Sequence, residues 1–281
     1  MLYGAGSALF WSFGFVAARH GVLVGLSPLV LSLHRFVWPG LVLLPFIASG
    51  GVRDLGGVGW RHGILLTAFG GLPLALWSYF GYVFVPLGHG AIIQPSCAAV
   101  GGLILARIVL KEALPWRRVA GASTIVLGLC VIGVEALSTM GAQGITGDLL
   151  FVAAGTSFAI FGMLLRRFRI APMRAAGVTS VLSLTGLPLL LLLCFDNMVA
   201  AGFWENFMQA VVQGFFAGAG GIYLFTRAVE LLGVSRAALY PSLVPVFTLV
   251  VGAVTVGELP SVWQLVGLAI VIAGFRLTQR N

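Results

Sequence analysis

The chain has 281 residues, of which 59% are hydrophobic and 9% charged, with a formal net charge of +8 and a mean hydropathy of +1.07. Soluble domains devote about 25% of their residues to charge, so an aqueous surface over most of this chain is excluded and its solvent is lipid. The positive balance calls for no nucleic acid, because its placement along the chain follows membrane topology.

A helix that spans a bilayer takes roughly 17 to 25 mostly apolar residues. The first such segment runs from Leu2 to Ala18, with no basic stretch or small-residue cleavage site ahead of it, the pattern of a retained helix. The next four are Pro28 to Ile47, Ile64 to Val85, Leu87 to Ala106 and Val119 to Ala136. Five more follow: Leu149 to Leu165, Ala175 to Phe195, Phe207 to Thr226, Ala237 to Val256 and Leu259 to Phe275. Short Gly- or Pro-marked connections join them, such as Gly144 to Gly147 and Gly257 to Pro260, leaving no room for a soluble domain. The expected fold class is an all-α integral membrane protein of ten transmembrane helices. Cys97, Cys130 and Cys194 each lie in an apolar run and read as small hydrophobes, with no metal-ligand spacing.

Lys and Arg near helix ends are retained on the cytoplasmic side. With the N-terminus inside, the loops that hold Arg53 and Arg61, Lys111 to Arg118, Arg166 to Arg174, Arg227 and Arg236, and the tail with Arg276 and Arg280, are all internal. Only Arg19 and Arg35 point to the other side, while Arg107 can snorkel inward. The expectation is a multi-pass protein of the cell (inner) membrane with both termini cytoplasmic, its net charge facing anionic lipid.

Displacing the chain on itself by 146 residues pairs Pro95 with Pro241, Ser96 with Ser242, Glu112 with Glu258, Gly121 with Gly267 and Gly128 with Gly274. A displacement of 148 pairs Phe10, Phe13 and Gly14 with Phe158, Phe161 and Gly162. Two repeats, 1–137 and 144–281, would each hold five helices. Because five is odd, the second enters the membrane from the opposite side, and inverted repeats of this kind place a substrate site between the halves and operate by alternating access.

Several residues could build that site. Pro95 and Pro241 stand at matched positions beside Gln94, Ser96, Tyr240 and Ser242, either as kinks that expose polar groups to a cavity or as packing features. Trp77, Tyr79 and Tyr82 of the third helix, Tyr223 of the eighth, and Trp11 and Phe158 in the first and sixth read either as an aromatic pocket or as ordinary packing. His34 and Arg35, two turns into the second helix, are candidates for gating or coupling, against an Arg that snorkels or caps carbonyls. All eight acidic residues fall at loops or helix ends, so no mid-membrane carboxylate is expected to carry a proton or bind sodium, and facilitated diffusion is favoured; His34 and His89 remain as titratable candidates. No metal-ligand, nucleophile-elbow or nucleotide-binding motif is present, so neither an enzyme nor a cofactor is expected.

The stretch from Gly233 to Thr248, continuing through Gly257-Glu258-Leu259 to Gly267 and Gly274, resembles the signature half of EamA-type members of the drug/metabolite transporter superfamily, and Ala91 to Gly128 repeats it. Ser27-Pro28 followed by Arg35 is similar to that family's second-helix pattern, although Thr179 stands where Arg35 would recur. The resemblance implies ten helices, an inverted repeat and a central cavity, and the aromatic content resembles the aromatic amino acid exporter branch. Phe10 to Phe13 occupy the region where small multidrug relatives carry a glutamate. The expected activity is export of amino acids or similar amphipathic metabolites, with small-molecule substrate and membrane lipid as partners; a multidrug or nucleoside exporter and a membrane channel are the alternatives.

Overall fold

The structure is a computed structural model that describes residues 2–111, 115–232 and 240–279. All regular structure among them is helical. Glu112, Arg236 and the Gly233 to Leu239 part of the signature stretch lie outside the described residues, as does the side chain of Ser242.

Helix α1 (Leu2–Leu23) leads by a short turn to α2 (Pro28–Ser49). The turn ends on Ser27, whose hydroxyl accepts from the Val30 amide, and Pro28 fills a first-turn position where no amide donor is needed. The third expected helix is two: α3 (Trp60–Gly70) and α4 (Leu72–Phe84). The chain leaves helical geometry at Gly71, and Pro73 in the first turn of α4 cannot continue the preceding ladder. Helix α5 (Leu87–Ile108) follows.

Helix α6 (Trp116–Phe168) takes in both the fifth and sixth expected helices. The expected connection at Gly144 to Gly147 is helical, and the only departure is Gly141, whose φ of 61° is open to glycine at little cost. Beyond it come α7 (Pro172–Ser183), a 3₁₀ turn and α8 (Leu187–Gln209), which is interrupted at Gly202. A π-helix (Ala210–Gly220) then runs into α9 (Gly221–Leu232). A 3₁₀ turn (Tyr240–Leu243), α10 (Val244–Thr255) and α11 (Val262–Gln279) complete the described chain.

Among the described residues, five stretches are long and apolar enough to cross a membrane, and further apolar helices are shorter. Large apolar side chains such as Leu192, Val254 and Leu2 stand exposed on the outside of the bundle, as a lipid-facing surface requires.

The most extensive helix contacts are those of α6 with α5 and with α11. The second of these is made through glycines. A methyl group on Gly128 would sit 2.9 Å from the Gly267 carbonyl, and one on Gly274 would sit 2.8 Å from the Gly121 carbonyl, so the two backbones touch where side chains are absent. Two apolar cores result. One gathers Leu31, Tyr82, Leu87, Ile92 and Phe151; the other gathers Ile47, Leu55, Leu66 and Val178 near the arginine-rich loops. Leu87 of the first core meets Glu258, which marks this as the Glu258 end of the bundle.

Candidate functional site

Arg35 follows the start of α2 by seven residues, roughly 10 Å at the rise of an α-helix. Its Nη1 donates to the backbone carbonyl of Gln213 at 3.2 Å. The Gln213 side chain uses both ends of its amide: Oε1 accepts from the Tyr79 hydroxyl at 3.0 Å, and Nε2 donates to the Gly14 carbonyl at 2.8 Å. A carbonyl has two lone pairs, so Gly14 serves its own helix and Gln213 at once. One buried residue, through its backbone carbonyl and its side-chain amide, thereby ties α1, α2, α4 and the π-helix together. One turn earlier, Gln209 Nε2 donates in the same way to the Ala17 carbonyl. Among the described residues no carboxylate pairs with Arg35.

The flanking groups are also engaged. Ser78 donates to Gln94 Oε1 at 2.7 Å, joining α4 to α5 beside Tyr79. His34 accepts from Trp38 Nε1 at Nδ1, so its Nε2 carries the hydrogen that reaches Asn206 Oδ1 at 3.1 Å, a tautomer assigned from the network. Ser96 is buried with its hydroxyl unpartnered, and Pro95 sits within an unbroken α5, whereas its repeat mate Pro241 lies in the 3₁₀ turn before α10.

The remaining candidates are dispersed. Trp77 is 45% exposed and lines a shallow apolar groove with Phe80, Phe84 and Leu150, on the face of α4 opposite Tyr79. Tyr223 and Phe158 are also exposed. Trp11 packs against Phe225 at 5.4 Å, Tyr240 packs on Gly4 of α1, and Tyr82 is wholly buried against Phe151 at 4.8 Å. Arg35 and Tyr79 are thus brought together through Gln213, and Gln94 is held by Ser78, the residue before Tyr79, while Trp77, Phe158 and Tyr223 are outside this network. Gln213, the centre of the knot, was not among the residues singled out from sequence. Its signal was available as a lone amide inside the apolar run Val211 to Phe216.

The Glu258 end carries the ion pairs. Arg19 meets Glu258 Oε1 at 2.6 Å and donates from Nη1 to the Tyr82 carbonyl, while Glu258 Oε2 accepts from the Leu87 amide at 2.7 Å. His20 lies 3.3 Å from Glu205. The expectation that every carboxylate falls at a loop or a helix end needs correction here. Glu135 and Asp148 are near the Glu258 end but buried, on either side of Gly141, because α6 continues through the expected loop and packs both against His89.

A sequence profile of the EamA-like transporter family matches the chain twice, over residues 1–134 and 145–279. A "Probable terminal-alkyne amino-acid exporter" of Streptantibioticus cattleyicolor is 30% identical over 96% of this chain and 90% of its own length. An "Uncharacterized transporter" of Archaeoglobus fulgidus is 25% identical over 97% of this chain and 95% of its own. The "Uncharacterized transporter YyaM" of Bacillus subtilis is 25% identical over 61% of this chain, a match that spans 57% of that relative. One solved crystal structure shares the fold, with a TM-score of 0.62 over 98% of this chain and 94% of its own at 19% identity.

Proposed function

The chain belongs to the EamA-like transporter family, and on that premise we propose that it is a secondary transporter that exports amino acids or similar amphipathic metabolites by alternating access. The observation that carries the substrate class is Arg35: a guanidinium in the helix bundle, flanked by the Tyr79 hydroxyl and the Gln213 amide, with no carboxylate of its own among the described residues. An unpaired interior cation is costly, and a substrate carboxylate is the group that offsets the cost. Arg35 holds that carboxylate, the Tyr79 hydroxyl turns from Gln213 Oε1 to a substrate oxygen, and Gln94, held by Ser78 next to Tyr79 in sequence, accepts from the amino group. The amino-acid exporter among the relatives supports the same substrate class.

In this reading ten spans form two inverted repeats, 1–137 and 144–281, with both termini cytoplasmic and the Glu258 end outside. The twofold match of the family profile supports the repeat. So does the glycine contact between α6 and α11. Gly121 corresponds to Gly267 and Gly128 to Gly274, yet Gly121 touches Gly274 and Gly128 touches Gly267, the exchanged pairing that a twofold axis generates.

The test is uptake of labelled phenylalanine and threonine into proteoliposomes, with phenethylamine, which lacks the carboxylate, as the control. Saturable amino acid flux that Arg35→Gln and Tyr79→Ala both abolish, with no phenethylamine flux, is expected. Equal transport of phenethylamine, or amino acid flux untouched by Arg35→Gln, would overturn the carboxylate site and favour a multidrug exporter.

A further inference from the structure

His89 is fully buried two residues after the start of α5, between two carboxylates that belong to the two arms of α6. Its Nδ1 lies 2.8 Å from Asp148 Oδ1 and its Nε2 lies 3.9 Å from Glu135 Oε2. A carboxylate only accepts, so Nδ1 carries the hydrogen toward Asp148. The other side of the ring is then unresolved: Nε2 and Glu135 Oε2 face each other as two acceptors, and both, like Asp148 Oδ2, are buried without a hydrogen-bond partner. Buried polar atoms are almost always satisfied, and such exceptions ask for a reason.

We infer that His89, Glu135 and Asp148 form a proton-binding site. One proton taken from water adds to the Nε2 lone pair, breaks no bond in the chain, and supplies the donor that the Nε2 to Glu135 Oε2 line lacks. The imidazolium then lies between two carboxylates, and the cluster's charge changes from minus two to minus one. Because Glu135 precedes Gly141 and Asp148 follows it, the proton bridges α5 to both arms of α6. The proton site goes beyond the substrate reading and shares no residue with the Arg35 site.

The groups around the cluster leave this role to these three residues. From α4, the Tyr82 hydroxyl is buried and unpartnered beside Gly90. From α5 itself, the Cys97 thiol is within electrostatic reach of Asp148. Arg19 of α1 and Glu258 satisfy one another and the Leu87 amide two residues from His89. α10 carries no titratable side chain, and α11 presents the amide of Gln264 at Gly88. No described cation other than the imidazole reaches either carboxylate.

The test needs no substrate. The protein is reconstituted on a solid-supported membrane, and the transient charge displacement after a step in pH is recorded without any amino acid. The native chain and Arg35→Gln are expected to give the same transient, and His89→Gln and Glu135→Gln to lose it. A native chain without a transient overturns the inference however the variants fold, and so does a native-sized transient in folded Glu135→Gln, whose side chain keeps its size but brings no negative charge to the imidazolium. Failure of amino acid flux alone bears only on the Arg35 site.

Discussion

Arg19 and Glu258 stand 239 residues apart in sequence and 2.6 Å apart in space, and between them they also hold the Tyr82 carbonyl and the Leu87 amide. Four backbone segments therefore meet at one ion pair. Charge-assisted hydrogen bonds contribute about 1.5–3 kcal/mol, and this pair ties α1, α4 and α5 to the Glu258 turn on that scale. Arg19→Gln should raise the rate at which a membrane-impermeant maleimide reaches Cys97, by about tenfold for each 1.4 kcal/mol lost. The measurement is made with Cys130 and Cys194 replaced by serine; an unchanged rate would exclude the latch.

Tyr79→Phe keeps the ring and removes only the donor to Gln213 Oε1. The orphaned buried acceptor should cost about 1–3 kcal/mol of stability. Thermal unfolding of Tyr79→Phe, Gln213→Leu and the double variant should show coupling, because the second change removes the acceptor that the first leaves unsatisfied. Strict additivity would argue against the bond.

Trp77 provides the contrast on the same helix. It faces the exposed groove rather than the knot, so Trp77→Leu should change stability by no more than about 0.5 kcal/mol and leave flux intact. Loss of amino acid flux in Trp77→Leu would show that this face of α4 also meets substrate.

Gly14 and Gly162 match in sequence but not in surroundings. A methyl group on Gly14 would sit 2.6 Å from the Ala217 Cβ, whereas one on Gly162 meets nothing within 4 Å. Gly14→Ala should therefore destabilise the bundle by about 1–3 kcal/mol, and Gly162→Ala should be neutral or add about 0.5–1 kcal/mol through helix propensity. Melting temperatures that shift equally in the two variants would contradict the close approach of α1 and the π-helix.

The contrast between these two glycines also marks how far sequence carries. Apolar run length located the helical segments, because lipid demands continuous apolar surface whatever the packing. It did not separate α3 from α4 or join the two arms of α6, since Gly71 and Gly141 look alike until backbone angles are known. Arg35 and Tyr79 stood out as unusual residue types at depth. Gln213 did not, because an amide in a helix announces nothing until its partners are placed. The side of α4 on which Trp77 and Tyr79 fall was readable in principle from their spacing of two, which puts residues on different faces of a helix. Glu135 and Asp148 escaped as interior groups because distance from a helix end measures depth along the axis and says nothing about which neighbour covers the side chain.

The π-helix from Ala210 to Gly220 has a mechanical consequence. A wider turn uses more residues to climb the same height, so this segment stores contour length beside α1 and α2. If the turns tightened to α geometry, the segment would lengthen and its own residues would rotate about the axis, carrying the Gln213 carbonyl away from Arg35. The winding of the π-helix is thereby tied to the hydrogen bond that the Arg35 guanidinium makes.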